Sequence, residues 1–119
     1  MELLARLSDR AAITYYGQTH EARKLVMLTI SDPDHIQNME QIRLEHLKFT
    51  NPDQDPGSPD ALPILINLGY NVHGNEPSSS EAALLTAYTL VASSHPDIVK
   101  YRSDAVSYTH LTLPTIYSV

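Results

Sequence analysis

The 119-residue chain has no cysteine and no tryptophan, one phenylalanine and four glycines. Without cysteine, neither a disulfide framework nor a thiolate metal site can form, so any metal must sit on nitrogen and oxygen donors and the redox compartment leaves no mark. No apolar run approaches the roughly 18 residues that cross a bilayer, and Met1-Glu2-Leu3-Leu4-Ala5-Arg6 lacks the basic-then-apolar order of an export signal. Basic patches are missing too. The formal charge is −6, with fourteen acidic residues scattered from Glu2 to Asp104, which argues against nucleic acid or an anionic membrane as the main partner. What is present is a 42% apolar chain, long enough for one domain with a real core and too short for two. Compartment and oligomeric state stay open.

In chain order, Glu2 to Arg10 carries Leu3, Leu4 and Leu7 at helical spacing, which predicts a short amphipathic helix. Ala12 to Tyr16 and Lys24 to Ile30 are β-branched, aromatic and apolar, and read as an antiparallel pair of strands. Ser31-Asp32-Pro33 starts a helix with Ile36, Met39, Ile42 and Leu47 on one face. The stretch from Asn51 to Asp60 has three prolines and a glycine and reads as a surface loop inside one domain. Leu62 to Leu68 is apolar with almost no alternation, the pattern of a strand covered on both faces. From Pro77 a helix is expected, with Ser78 and Glu81 as a capping box. Its Ala82, Ala83, Leu84, Leu85, Ala87, Tyr88, Leu90, Val91 and Ala92 leave little polar face, so it should be mostly buried.

Between that strand and that helix lies Asn67-Leu68-Gly69-Tyr70-Asn71-Val72-His73-Gly74-Asn75-Glu76-Pro77. Histidine and glutamate are both good zinc donors, one through a neutral ring nitrogen and one through carboxylate oxygen. On spacing alone, His73 and Glu76 read equally as polar loop residues. Their setting adds weight: ligands bind beyond the C-terminal ends of strands in open α/β sheets, and glycines at 69 and 74 allow unusual backbone and close approach.

The segment from Asn67 to Ala82 resembles the first zinc-ligand segment of the zinc metallocarboxypeptidases of the carboxypeptidase A type. Gly17 to Arg23 is similar to the same family's Gly-x-Ser-x-Glu-Gly-Arg turn, with Thr19 in place of serine and Ala22 in place of the second glycine. The resemblance covers roughly residues 1 to 102. It implies an α/β fold, a mixed sheet flanked by helices, here as a partial zinc carboxypeptidase-like domain over residues 1 to 104. It also implies zinc, with His73 and Glu76 as two ligands of a His₂Glu set, and hydrolysis of peptide bonds in a peptide or protein substrate by zinc-activated water. The family's second zinc histidine, its substrate-holding arginines and asparagine and its general-base glutamate find no counterpart here, so the chain is expected to be an amino-terminal fragment, inactive or nearly so alone. The family is often secreted or periplasmic. N-acyl amino acid deacylases use a similar His-Gly-Asn-Glu segment, although the Gly17 to Arg23 turn favours the peptidase, and a non-catalytic binding module on the same scaffold is the reading from another class.

The other histidines do not complete the set. A helix running from Pro77 to Ser94 would displace His95 by about 25 to 30 Å from Glu76 at ~1.5 Å per residue. His20, His35 and His46 read as solvated surface residues. Glu81 is accounted for by the capping box and Glu21 with Arg23 by the turn, while Tyr15, Tyr16, Tyr70 and Tyr88 read as packing residues. Residues 105 to 119 have no charged side chain when histidine is neutral. They resemble the translated read-through of a sequencing adapter, so this tail, with His110, is expected to be foreign to the domain.

Overall fold

In the computed structural model, which describes residues 1–73 and 76–111, the first two strands form a hairpin. Strand β1 (Ala11–Gln18) runs antiparallel to β2 (Lys24–Ile30), from Ala11 opposite Ile30 to Gln18 opposite Lys24, with a bulge between Tyr15 and Gly17. The connecting turn closes on itself. Thr19 N–H donates to Arg23 O at 2.8 Å, Ala22 N–H to Thr19 O at 2.9 Å, and Arg23 N–H to Thr19 Oγ1 at 3.2 Å. This path puts Ala22 at φ 60°, where a Cβ costs roughly 1–2 kcal/mol, and Ala22 is where the similar turn of the carboxypeptidases has glycine. Helix α1 (Glu2–Leu7) lies against β1 through Met1, Leu4 and Ala5, leaving Leu3 and Leu7 exposed.

Strand β3 (Ile64–Tyr70) pairs parallel with β4 (Ala105–Leu111), Ile64 opposite Ala105 through to Tyr70 opposite Leu111. Parallel neighbours require a crossover, and α4 (Pro77–Ala92) with α5 (Pro96–Asp104) supplies it. Because β4 also pairs antiparallel with β2, the strand order is β1-β2-β4-β3. The result is the expected α/β arrangement, a mixed four-stranded sheet flanked by helices.

The core lies where α4 crosses the sheet. Ala83, Ala87, Leu90 and Val91 form its buried face, with Ala87, Leu90 and Val91 in one cluster with Leu28, Ile30 and Ala11. Burying Leu28 or Ile30 contributes about 1.5–3 kcal/mol each. In the register, Leu28 stands opposite Thr109 and Ile30 opposite Ser107, so the β4 partners of these two residues are small and polar. Ser107 Oγ meets Tyr101 Oη at 2.6 Å, whereas the buried Thr109 hydroxyl has no hydrogen-bond partner among the described residues. Two arginines finish the last turn of α4, whose carbonyls have no partner within the helix. Arg102 Nη1 donates to Leu90 O at 2.7 Å and Ser93 O at 3.0 Å, and Arg10 Nη1 to Val91 O at 3.2 Å. Burial and then the charge of Arg10 pull the Arg102 pKa down, with Asp32 at 3.9 Å acting the other way.

Several expectations are corrected. Among the described residues, strand β3 is an edge strand, paired with β4 alone, and its burial alternates from Leu65 onward; Ile64 is 62% exposed. Its unbroken apolar run therefore does not mean two covered faces. Helix α4 is buried along one stripe only, with Leu84, Leu85 and Tyr88 exposed. The single helix expected after Ser31 is two, α2 (Pro33–Gln37) and α3 (Met39–Lys48), because Asn38 at φ −102° and ψ 19° breaks the helical path. The Ser78–Glu81 capping box is not built: α4 starts at Pro77 with Glu76 as its N-cap, so Ser78 already lies inside the first turn. Apart from these corrections, residues 105–111 form the strand between β2 and β3.

Candidate metal centre

The path from β3 into α4 is fixed by backbone rather than by the side chains of interest. At the last residue of β3, Tyr70 Oη donates to Thr86 Oγ1 of α4 at 3.1 Å. Asn71 follows at φ 59°, buried to 4% exposure. Asparagine tolerates this left-handed backbone better than most residues with a side chain. Its N–H has left the sheet and donates to Ser79 Oγ at 2.7 Å. Further on, Glu76 N–H donates to His73 O at 3.0 Å and Ser79 N–H to Glu76 O at 3.3 Å. The His73 and Glu76 side chains are exposed, at the C-terminal end of a parallel strand and the N-terminus of a sixteen-residue helix. Gly74 and Asn75, the centre of the turn, lie outside the described residues.

Gly69 contributes less here than its place in the sequence suggests. Gly69 sits in β3 with nothing within 4 Å of where a Cβ would project, and the left-handed residue of the strand exit is Asn71. Asn71 and Ser79 are the residues that sequence reasoning missed. A lone polar residue between the apolar Tyr70 and Val72, followed by a hydroxyl run at Ser78-Ser79-Ser80, was the available signal.

The remaining histidines are placed elsewhere. His95 caps α5, its Nδ1 accepting from Asp97 N–H at 3.3 Å. His20 is exposed in the hairpin turn. His35 and His46 are half-buried and bonded, a correction to their expected solvation. His46 Nε2 lies 2.9 Å from Pro63 O, and a carbonyl only accepts, so this nitrogen carries a proton. Ser31 Oγ has one proton and two carbonyl neighbours, Ala105 O at 2.8 Å and Arg102 O at 3.1 Å. His35 Nδ1, 2.8 Å away, is therefore the donor to it. Among the described residues no group of three or more histidines and carboxylates is gathered to hold a metal. Glu81 is exposed on α4, and the side chain of His110 lies outside the described set. A shallow hollow of about 390 Å³, lined by Glu2, Leu3, Arg6, Ile13 and Tyr15, belongs to the β1 edge, the far side of the sheet from β3.

Over residues 1–112 the chain matches the model of a family described as zinc carboxypeptidase. The chain belongs to the zinc carboxypeptidase family. The characterised proteins and solved structures compared with it give no match. Membership places it among hydrolases of the zinc carboxypeptidase type, a zinc-dependent family that acts on peptides or proteins. The donor chemistry of His73 and Glu76 fits zinc, and their number does not complete it: catalytic zinc sites take three protein donors and keep a fourth position open, and the described residues offer these two.

Proposed function

We propose that the chain carries part of a zinc carboxypeptidase that hydrolyses the last peptide bond of a substrate chain. In this reading, His73 and Glu76 are two of the zinc ligands and a third protein donor is not among the described residues. The supporting observation is the division of labour at the strand exit. Backbone groups of His73 and Glu76, with Asn71 and Ser79, shape the turn, and both donor side chains are left in solvent. His73 would offer a neutral ring nitrogen and Glu76 a carboxylate oxygen, and among the described residues neither side chain has a hydrogen bond that metal binding would have to break. Zinc, when bound, supplies Lewis acidity and an activated water. We also propose that residues 105–119 are foreign to the domain, a reading supported by the buried Thr109 hydroxyl, which finds no hydrogen-bond partner among the described residues. Finding the same codons in an independent clone of the gene would refute it.

Titrating zinc into the purified 119-residue chain, alone and as His73→Ala and Glu76→Gln, tests the ligand assignment. Weak binding that both substitutions abolish, without peptide turnover, is expected. Binding indifferent to both overturns the assignment, and tight stoichiometric zinc with turnover overturns the shortage of donors. Assaying a longer gene product on peptides with free and blocked C-termini, and on an acyl-aspartate, separates a carboxypeptidase from an N-acyl amino acid deacylase.

A further inference from the structure

A strand that must give way to a helix within six residues, between Tyr70 and Pro77, has to satisfy the amides it strips from the sheet. For Asn71 that need is met by Ser79, the first step of a relay. The N–H of Asn71 goes to Ser79 Oγ, the N–H of Ser79 to Glu76 O, and the N–H of Glu76 to His73 O, at 2.7, 3.3 and 3.0 Å. Ser79 is the only member of the relay that uses its side chain, and it joins the end of β3 to the first turn of α4 across eight residues of chain. It has both functions at once, its hydroxyl accepting from Asn71 and its amide donating to Glu76.

We propose that Ser79 is a positioning residue for the two metal donors: its hydroxyl locks Asn71 in the left-handed backbone and thereby sets how far His73 stands from Glu76. This rests on the zinc reading above. The physical reason is leverage. Asn71 lies two residues before His73, and a change in its φ would swing the segment that carries the imidazole, whereas Glu76 is fixed to α4 as its N-cap. Three further links near the junction do not substitute for the hydroxyl. Tyr70 Oη to Thr86 anchors the strand before the swing point, and the Glu76 and Ser79 amides bond beyond it. Without the Ser79 hydroxyl, a buried N–H loses its acceptor, a cost that favours movement of this backbone towards water. Threonine keeps the hydroxyl; alanine does not.

The test is a zinc titration of the 119-residue chain followed by ¹H–¹⁵N NMR, comparing the parent with Ser79→Ala, Ser79→Thr and His73→Ala. Three quantities are read beside the thermal midpoint: the zinc concentration at half-shift of the Glu76 amide signal, which every variant retains, and, without metal, the hydrogen-exchange rate and the HN–Hα coupling of Asn71. The expected result is that Ser79→Ala raises the zinc midpoint about tenfold, the lower end for removing a group behind a metal ligand. It also speeds exchange at Asn71 and changes its coupling, and Ser79→Thr restores all three. An unchanged Asn71 coupling and exchange in Ser79→Ala overturns the proposal. So does a zinc midpoint that moves only in step with a lost thermal midpoint and is not restored by threonine. Should zinc bind the parent and His73→Ala alike, the ligand reading fails, while the metal-free Asn71 data still decide for or against Ser79.

Discussion

The two edges of the sheet are finished in different ways. Strand β1 is bulged at Tyr15/Gly17, lies beneath α1, and has Tyr15 bonded through its hydroxyl to Glu2, with Lys24 Nζ 4.6 Å from the centre of its ring. Strand β3 reads Ile64-Leu65-Ile66-Asn67-Leu68-Gly69-Tyr70, without a charge or a bulge, and is flanked by exposed Leu84, Leu85 and Tyr88 on α4. Bulges, charges and covering elements are how proteins keep edge strands from pairing with strangers, and β1 has the bulge and the covering helix, with the charges of Glu2 and Lys24 brought against it by its neighbours. Strand β3 has neither bulge nor charge and, among the described residues, only α4 against it, yet it delivers His73. Stability is thus concentrated in β1, β2, β4 and the C-terminal half of α4, and the proposed chemistry hangs on the side with least packing.

The largest effect should separate the two regions directly. Leu28 is fully buried and Ile64 is 62% exposed. Leu28→Ala should cost about 2–5 kcal/mol through lost burial and the cavity left behind. Ile64→Ala should cost less than about 1 kcal/mol, as a surface change. Urea unfolding of both variants measures this, and equal losses would mean that β3 is buried by something that the described residues do not include.

A smaller effect, of opposite sign, is expected at the protected edge. Ala22 occupies the left-handed region at φ 60°. Ala22→Gly should therefore raise stability by about 0.5–1 kcal/mol, the Cβ penalty less the greater entropy of glycine in the unfolded chain. Thermal melts at one scan rate suffice, and a destabilised glycine variant would show that the turn relaxes in solution.

Much of this was legible in the residues, and the failures have a common physical cause. The hairpin, the loop with three prolines, the strand before His73 and the helix after Pro77 were all readable, since each rests on local periodicity or turn chemistry. Exposure of Leu84, Leu85, Tyr88 and Ile64 was not, because an apolar run records what could be buried and not whether a neighbour is there to bury it. His73 and Glu76 were readable as donors by residue type. Their geometry was not, since it depends on Asn71 and Ser79, eight residues apart, and a hydrogen bond between them leaves no period in the sequence. His35 and His46 were misread for the same reason: their partners, Ser31 with two distant carbonyls and Pro63, are set by tertiary structure.

The smallest expected effect is on pH, and it sharpens the contrast between the regions. Two carboxyls are held below the ordinary range, chiefly by hydrogen bonds: Glu40 by Arg43, through contacts of 2.8 and 2.6 Å, and Asp104 by Lys100. A carboxyl with a lowered folded pKa binds its proton more readily when unfolded. The stability it contributes is present above the ordinary carboxyl value of about 4 and drains away as pH falls through the lowered one. Both pairs are fully exposed, so the loss is slight and should fade in about 1 M salt, where screening acts within roughly 3 Å. They sit in different places, however. Glu40 is on α3, which is tied to the start of β3 through His46 and Pro63 O, while Asp104 ends α5 and leads into the buried start of β4. Hydrogen exchange at pH 3 to 6 in low salt should show Glu40→Gln removing acid sensitivity from β3 amides and Asp104→Asn removing it from global unfolding. If the acid response of β3 were the same in the parent and in Glu40→Gln, the weakly packed edge would not be opening on its own.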